Sequence, residues 1–220
     1  MIQDRKQKTY QVMEKEAGLA GKNVLEIGCG NGRLTAMYAA SAATVIGIEP
    51  GVSSIRQAAT NVPNVSFLCG TGLELPFNDN VFDIALFSLS LHHHPDYQRA
   101  LDEAVRVVQK DGLVLVLEPT VQSQIQRLCK VFEDEDSRLC GVRDVLPQCG
   151  LEIVSESLFD TYWEFDDFDD VKRYAFSYYN HPPDTSKEQE LALFLGSRKH
   201  QAPLLLSDTL CLTTLRAQAS

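Results

Sequence analysis

The feature that most constrains this chain is the run Asn23-Val24-Leu25-Glu26-Ile27-Gly28-Cys29-Gly30-Asn31-Gly32-Arg33-Leu34, where a short apolar strand meets three glycines spaced by two and then a helix. Glycines at that spacing let the backbone bend sharply and approach a ligand closely. A second apolar strand, Ala43-Thr44-Val45-Ile46-Gly47-Ile48, ends in Glu49 about twenty residues further on, the spacing at which a carboxylate reaches ribose hydroxyls. Together they specify a ligand containing a nucleoside. Arg33 argues against a dinucleotide. Counting from Gly28, the sixth place of a G-x-G-x-x-G fingerprint calls for a small residue so that the helix packs on the strand beneath a pyrophosphate. Here that place holds Arg33, and the third glycine falls at Gly32.

Downstream the chain alternates strand and helix. The pattern predicts a helix over 3–17 and strands at 23–28, 43–48, 65–69 and 82–87, with helices at 32–41 and 53–60 between them. A helical period at Leu101, Ala104, Val105 and Val108 leads into a fifth strand at 112–117. Continuous apolar strands separated by helices call for a parallel sheet covered on both faces. Beyond Glu118 the regularity loosens. Residues 119–150 read as helices with an acidic break, Glu133-Asp134-Glu135-Asp136, expected to be a solvated loop. A strand at 152–156, a helix near 185–198 and a final strand over 209–215 follow.

The glycine turn with its two acids resembles motif I of the class I S-adenosylmethionine-dependent methyltransferases. Cys69-Gly70-Thr71-Gly72-Leu73-Glu74-Leu75-Pro76-Phe77, followed by Phe82-Asp83, is similar to the next stretch of that family. The resemblance covers nearly the whole chain and implies an α/β, doubly wound, Rossmann-like sheet of seven strands. Such a sheet is mostly parallel with an antiparallel last strand and carries helices on both faces. It implies S-adenosyl-L-methionine as cofactor, with Glu26, Gly28, Cys29, Gly30, Asn31 and Gly32 around its methionine part and Glu49 and Pro50 at the ribose. Thr71, Gly72 and Leu73 would meet the adenine, and Ser88 and Leu89 would border the methyl end. Thr71 departs from the family, which usually has an Asp here; a hydroxyl accepts the same hydrogen bond without charge assistance.

After strand four the chain reads Ser88-Leu89-Ser90-Leu91-His92-His93-His94-Pro95-Asp96, in place of the D/N-P-P-aromatic tetrapeptide of base-modifying relatives. This resembles the branch acting on quinone rings and other metabolites. His93, then His92, are the candidate catalytic residues, since imidazole accepts a proton near neutrality. Consecutive side chains are expected to diverge, so no metal is expected there. The cysteines have no zinc-like spacing, although Cys129, Cys140 and Cys149 share one segment. The segment 119–150, together with Tyr162, Trp163, Phe165, Tyr174, Tyr178 and Tyr179, is expected to build a lid and acceptor pocket, and Tyr10 to close over the cofactor.

A formal charge of −10 argues against nucleic acid as the main partner, leaving a small-molecule methyl acceptor. The N-terminal stretch is charged throughout and lacks the apolar core of a signal peptide, and no apolar run is long enough for a membrane span, so a cytoplasmic location is expected. Residues 1–220 read as one domain, with 1–118 the cofactor-binding core, 119–206 the lid and acceptor-pocket elements and 207–216 the final strand. The competing readings are an RNA- or protein-modifying methyltransferase and an inactive accessory protein that binds the cofactor. The oligomeric state is not legible.

Overall fold

The computed structural model describes residues 1–217. Its strands are β1 (Ile2–Gln3), β2 (Asn23–Ile27), β3 (Thr44–Glu49), β4 (Ser66–Cys69), β5 (Phe82–Ser88), β6 (Val108–Pro119), β7 (Leu151–Phe165) and β8 (Leu204–Ala217). Between them lie α1 (Lys8–Ala17), α2 (Thr35–Tyr38), α3 (Val52–Asn61), α4 (Tyr97–Val107), α5 (Gln124–Cys129), α6 (Asp136–Val145), α7 (Phe168–Tyr178) and α8 (Thr185–Leu195). All strands join one sheet in the order β1-β7-β8-β6-β5-β2-β3-β4.

From β4 to β6 every neighbouring pair is parallel, and the apolar runs explain why. Alternate residues of a strand face opposite sides. On β5, Ala85 and Phe87 join a core on one side while Ile84 and Leu86 join a second core on the other; on β6, Val114 and Val116 divide from Leu115 and Leu117 in the same way. The first core is closed by Ala100, Leu101 and Ala104 of α4 and Val142 of α6. The second is closed by Val12 and Met13 of α1 and by Tyr38 of α2. Strand β8 runs antiparallel between β6 and β7, as expected for the last strand.

Four features differ from the sequence reading. The sheet has eight strands rather than seven, because Ile2 and Gln3 pair antiparallel with Glu164 and Trp163 of β7. Helix α1 therefore starts at Lys8 rather than near residue 3. Asp4 and Gln7 turn the chain with φ of 45° and 51°, and the Asp4 carboxylate accepts from the Lys8 and Thr9 amides at 2.8 Å, capping the helix. The helix over 32–41 shrinks to Thr35–Tyr38, since the chain around it makes mixed bonds such as Met37 N–H to Leu34 O. Strand β7 is three times longer than the strand expected at 152–156, and Tyr162, Trp163 and Phe165 lie on it.

The far ends of β7 and β8 carry a third core of their own. Phe165, Leu204 and Leu206 of the strands pack with Ile125 and Leu128 of α5, Val171 and Ala175 of α7, and Leu191 and Leu195 of α8. This cap starts where the parallel sheet ends. No helix among the described residues is long and apolar enough to cross a membrane.

Candidate functional site

The parallel strands β2, β3, β5 and β6 end on the same edge of the sheet, where open α/β sheets hold ligands. Glycine is required at the end of β2. Gly28 has a φ of 75°, its amide and that of Cys29 both donate to Ile48 O, and a methyl group on it would overlap Ser90 Cβ. At Gly30 there is open space where a side chain would stand, so the backbone of the turn is bare to the cavity. Glu49, closing β3, accepts from the Gly30 amide (3.3 Å) and the Gly51 amide (2.9 Å) and thereby ties the turn to its neighbour. Thr71 Oγ1 accepts from the Leu73 amide (3.3 Å), and the loop at Gly72 packs closely on His94 and Ile27.

A cavity of about 1780 Å³ opens over this edge. Of the residues assigned from the sequence, Gly28, Cys29, Gly30, Asn31, Glu49, Pro50, Thr71, Gly72, Leu73, Ser88, Leu89, His92 and His93 line it. Two do not. Gly32 faces α3 instead, its φ is 77° and a Cβ there would stand 3.2 Å from Ala58 Cβ, so it serves helix packing. Glu26 is fully buried behind the turn, where it accepts from Thr35 Oγ1 (2.6 Å), Tyr38 Oη (2.7 Å) and Ser88 Oγ (2.7 Å). Burial pushes the Glu26 carboxyl up, and the three hydroxyls offset that in part. It supports the site from behind and touches no cavity space.

The histidines separate in role. Leu91–His93 form a single 3-10 turn after β5, and His92 is 3 % exposed. Its Nδ1 lies 2.6 Å from Glu118 Oε2, its amide donates to Glu118 Oε1, and its Nε2 is 3.7 Å from Glu135 Oε1. Burial disfavours the charged ring, but the Glu118 charge and hydrogen bond, with Glu135 behind them, outweigh it and raise the pKa to about 9. With no cation bound, the shift favours the protonated ring and so weighs against His92 as a base. His93 is half-exposed, and burial together with the His92 charge lowers its pKa.

Glu135 is the other correction. Instead of sitting in a solvated acidic loop, it turns inward, accepts from Gln126 Nε2 (3.0 Å) and Arg138 Nη2 (2.7 Å), and has its pKa lowered to about 2, because the nearby His92 ring and the Gln126 hydrogen bond overcome the cost of burial. The expectation that adjacent histidines diverge also fails, since the 3-10 turn holds the two rings 3.9 Å apart. The cysteines of 129–149 do not converge: Cys129 is buried in the cavity wall with its thiol pushed up to about 11, whereas Cys140 is exposed.

Of the aromatics singled out from the sequence, Trp163, Tyr174, Tyr178 and Tyr179 line the cavity, while Tyr162 is exposed on the outer face and Phe165 is sealed in the third core. Tyr10 packs in the core under α1 and donates to Ser41 Oγ, away from the cavity. Sequence reasoning missed Asp208, whose carboxylate accepts from Ser123 Oγ (2.8 Å) and Trp163 Nε1 (3.0 Å) at the cavity wall. The signal was there: Ser207-Asp208 interrupts an apolar strand. Glu118 carried one too, since like Glu49 it closes a parallel strand.

A parallel sheet with one antiparallel strand inserted beside its last crossover, and a glycine turn answered by an acid on the next strand, is the arrangement that the class I S-adenosylmethionine-dependent methyltransferases share, and this chain is similar to them in both. Residues 25–116 match the family model described as a methyltransferase domain. Among curated proteins the chain is 32% identical over 106 residues to an uncharacterized methyltransferase of Synechocystis, covering 48% of this chain and 50% of that protein. It is 36% identical over 98 residues to a demethylmenaquinone methyltransferase of Corynebacterium kroppenstedtii, covering 44% and 42%. The matches thus span about half the length of these relatives. Among solved structures, the YcgJ protein of Bacillus subtilis superposes with a TM-score of 0.67 at 19% identity over 95% of this chain and 98% of that one, a likeness of fold.

Proposed function

We propose that this chain transfers the methyl group of S-adenosylmethionine to a small, planar aromatic acceptor held in the outer part of the cavity. The observation that carries the reading is that the bare Gly28–Gly30 backbone, the Glu49 carboxylate, the Thr71–Leu73 loop and the Ser88–Leu89 bend line one cavity together with Trp163, Tyr174 and Tyr178. In this reading the turn holds the methionine part, Glu49 the ribose hydroxyls and the loop at Thr71 the adenine, while Ser88 and Leu89 flank the methyl group. The bound sulfonium supplies an already electrophilic methyl group. The protein then has to align the acceptor, exclude water and neighbour the reacting atom, which is mainly proximity. His93, half-exposed at the cavity wall, is the imidazole beside that atom. The demethylmenaquinone methyltransferase relative supports a quinol-type ring as acceptor, and the aromatic lining supports the same chemistry independently.

Calorimetry with S-adenosylmethionine tests the cofactor half. Glu49→Ala removes a charge-assisted partner worth about 1.5–3 kcal/mol and is expected to weaken binding roughly tenfold to a hundredfold. Gly30→Val forces a β-branched residue into a φ of 53° and is expected to abolish it. Undiminished affinity in both variants would remove the assigned site. A radiolabel transfer assay across quinols, catechols and aliphatic alcohols tests the acceptor half, and turnover confined to the aliphatic compounds would exclude an aromatic substrate.

A further inference from the structure

Outside the cofactor wall, one group of side chains is assembled as a ligand set. His92, His93 and Glu135 each present a donor atom, and these atoms lie within 4.8 Å of one another; among the described residues no other three His, Cys, Asp or Glu side chains do so. Glu135 Oε1 is 3.7 Å from His92 Nε2 and 4.0 Å from His93 Nδ1. A tetrahedral ion with ligands about 2.0–2.1 Å away sets its donor atoms about 3.3 Å apart, so the two Glu135 distances must each close by about 0.4–0.7 Å and the histidine pair, within 4.8 Å, by up to about 1.5 Å, which side-chain rotation can supply.

The surroundings are organised for the same end. Metal-bound histidines characteristically give their second ring nitrogen to a carboxylate, which fixes the tautomer and aims the other nitrogen at the ion. His92 Nδ1 is held in this way by Glu118 at 2.6 Å, leaving Nε2 directed at Glu135. The other Glu135 oxygen is held by Gln126 Nε2 at 3.0 Å, which sets the plane of the carboxylate. Arg138 shares Glu135 Oε1 but is also paired with Glu133 at 2.6 Å, so it keeps a partner if that oxygen is taken. Glu118, Glu133 and Glu135 face Arg138 and the His92 ring, and an ion bound at His92 Nε2 would displace the proton held there, which leaves the two uncompensated negative charges to a divalent cation.

We propose that His92, His93 and Glu135 form a binding site for one divalent transition-metal ion at the cavity wall beside the methyl-transfer position. Two imidazole nitrogens and one carboxylate oxygen select zinc, cobalt, iron or manganese over magnesium and calcium, which prefer oxygen alone. All three residues line the cavity, so the remaining coordination positions face the space assigned to the acceptor. That placement rests on the proposed methyl-transfer reading, and in it His93 is a ligand rather than a free base. A hydroxyl-bearing ring would meet the ion through oxygen.

The test is titration of the purified protein with Co²⁺ alone, following its visible d–d absorption. A saturating signal at one ion per chain is expected, weakened at least tenfold by Glu135→Gln and by His93→Ala, with circular dichroism confirming that both variants fold. His93 is half-exposed, so its loss leaves the core intact. Absence of a stoichiometric signal, equal affinity in the variants, or a thiolate-to-cobalt charge-transfer band would overturn the site. Calorimetry with S-adenosylmethionine on the metal-free protein and on Glu135→Gln keeps the two proposals apart. Intact cofactor binding with no cobalt signal sinks the metal site alone, and lost cofactor binding with an intact cobalt signal sinks only the cofactor assignment.

Discussion

Glu26 shows how a residue can shape the site without touching its space. Its two carboxylate oxygens gather the hydroxyls of Thr35, Tyr38 and Ser88, which come from the helix after the glycine turn and from the end of β5. One side chain thereby links the strand carrying the turn to α2 and to β5. Glu26→Ala leaves three enclosed hydroxyls without that acceptor. At about 1–3 kcal/mol for each unsatisfied group, the variant is expected to lose roughly 3 kcal/mol or more in urea unfolding. Glu26→Gln keeps an oxygen in place and is expected to lose markedly less; equal losses would show that cavity formation, not the hydroxyls, sets the cost. That Glu26 belongs to the turn was legible from the sequence, because a carboxylate inside an apolar strand must find partners. Its position behind the turn was not, since the hydroxyls that hold it are 9, 12 and 62 residues away.

At the scale of elements, the parallel half of the sheet was readable because β2, β3, β5 and β6 are continuous apolar runs with turn signals on either side. Strand β7 was misread. Phe159, Thr161 and Phe165 point inward while Leu158, Asp160 and Tyr162 point out, an alternation that identifies a strand, but its acidic and aromatic composition reads as a pocket lining. Four acids in succession at 133–136 read as surface, and nothing in their order says that Glu135 alone turns inward toward a histidine some forty residues earlier. The loop at Leu75–Phe77 is held by α4. Glu103 accepts from the Leu75 amide (2.7 Å) and from Arg106 Nε (2.7 Å), and Arg106 in turn donates to the carbonyls of Leu75 and Phe77. The Arg106 hydrogen bonds hold the Glu103 carboxyl below its ordinary value of 4.5, against a smaller opposing effect of burial. A depressed folded-state pKa contributes stability that is present above the ordinary value and lost as pH falls through the depressed one. Glu103→Gln is therefore expected to cost about 1 kcal/mol at pH 7, with the gap to the parent chain narrowing as melts are taken below pH 4.5. A gap that stays constant into acid would show that the clip does not depend on the charge.

For the whole molecule, the third core makes the cap of α5, α7 and α8 energetically separable from the two faces of the sheet. Leu191 is fully buried within it. Leu191→Ala is expected to cost about 2–5 kcal/mol locally. Hydrogen exchange is expected to show faster amides in α7 and α8, with β2 and β5 still protected and S-adenosylmethionine still bound. Uniform loss of protection would mean that cap and sheet unfold as one. The placement of β8 has a different consequence, which concerns synthesis. Strand β7 reaches the sheet only through β8, which lies between it and β6 and is made later. While the chain emerges from a ribosome, β6 is thus an open edge and β7 has no place to dock until residues 204–217 are available. Exposed edges of this kind invite pairing between chains. The nascent protein is therefore most exposed to misassembly over the interval in which the cap is translated, and chains interrupted there lack the strand that joins β7 and the cap to the parallel sheet.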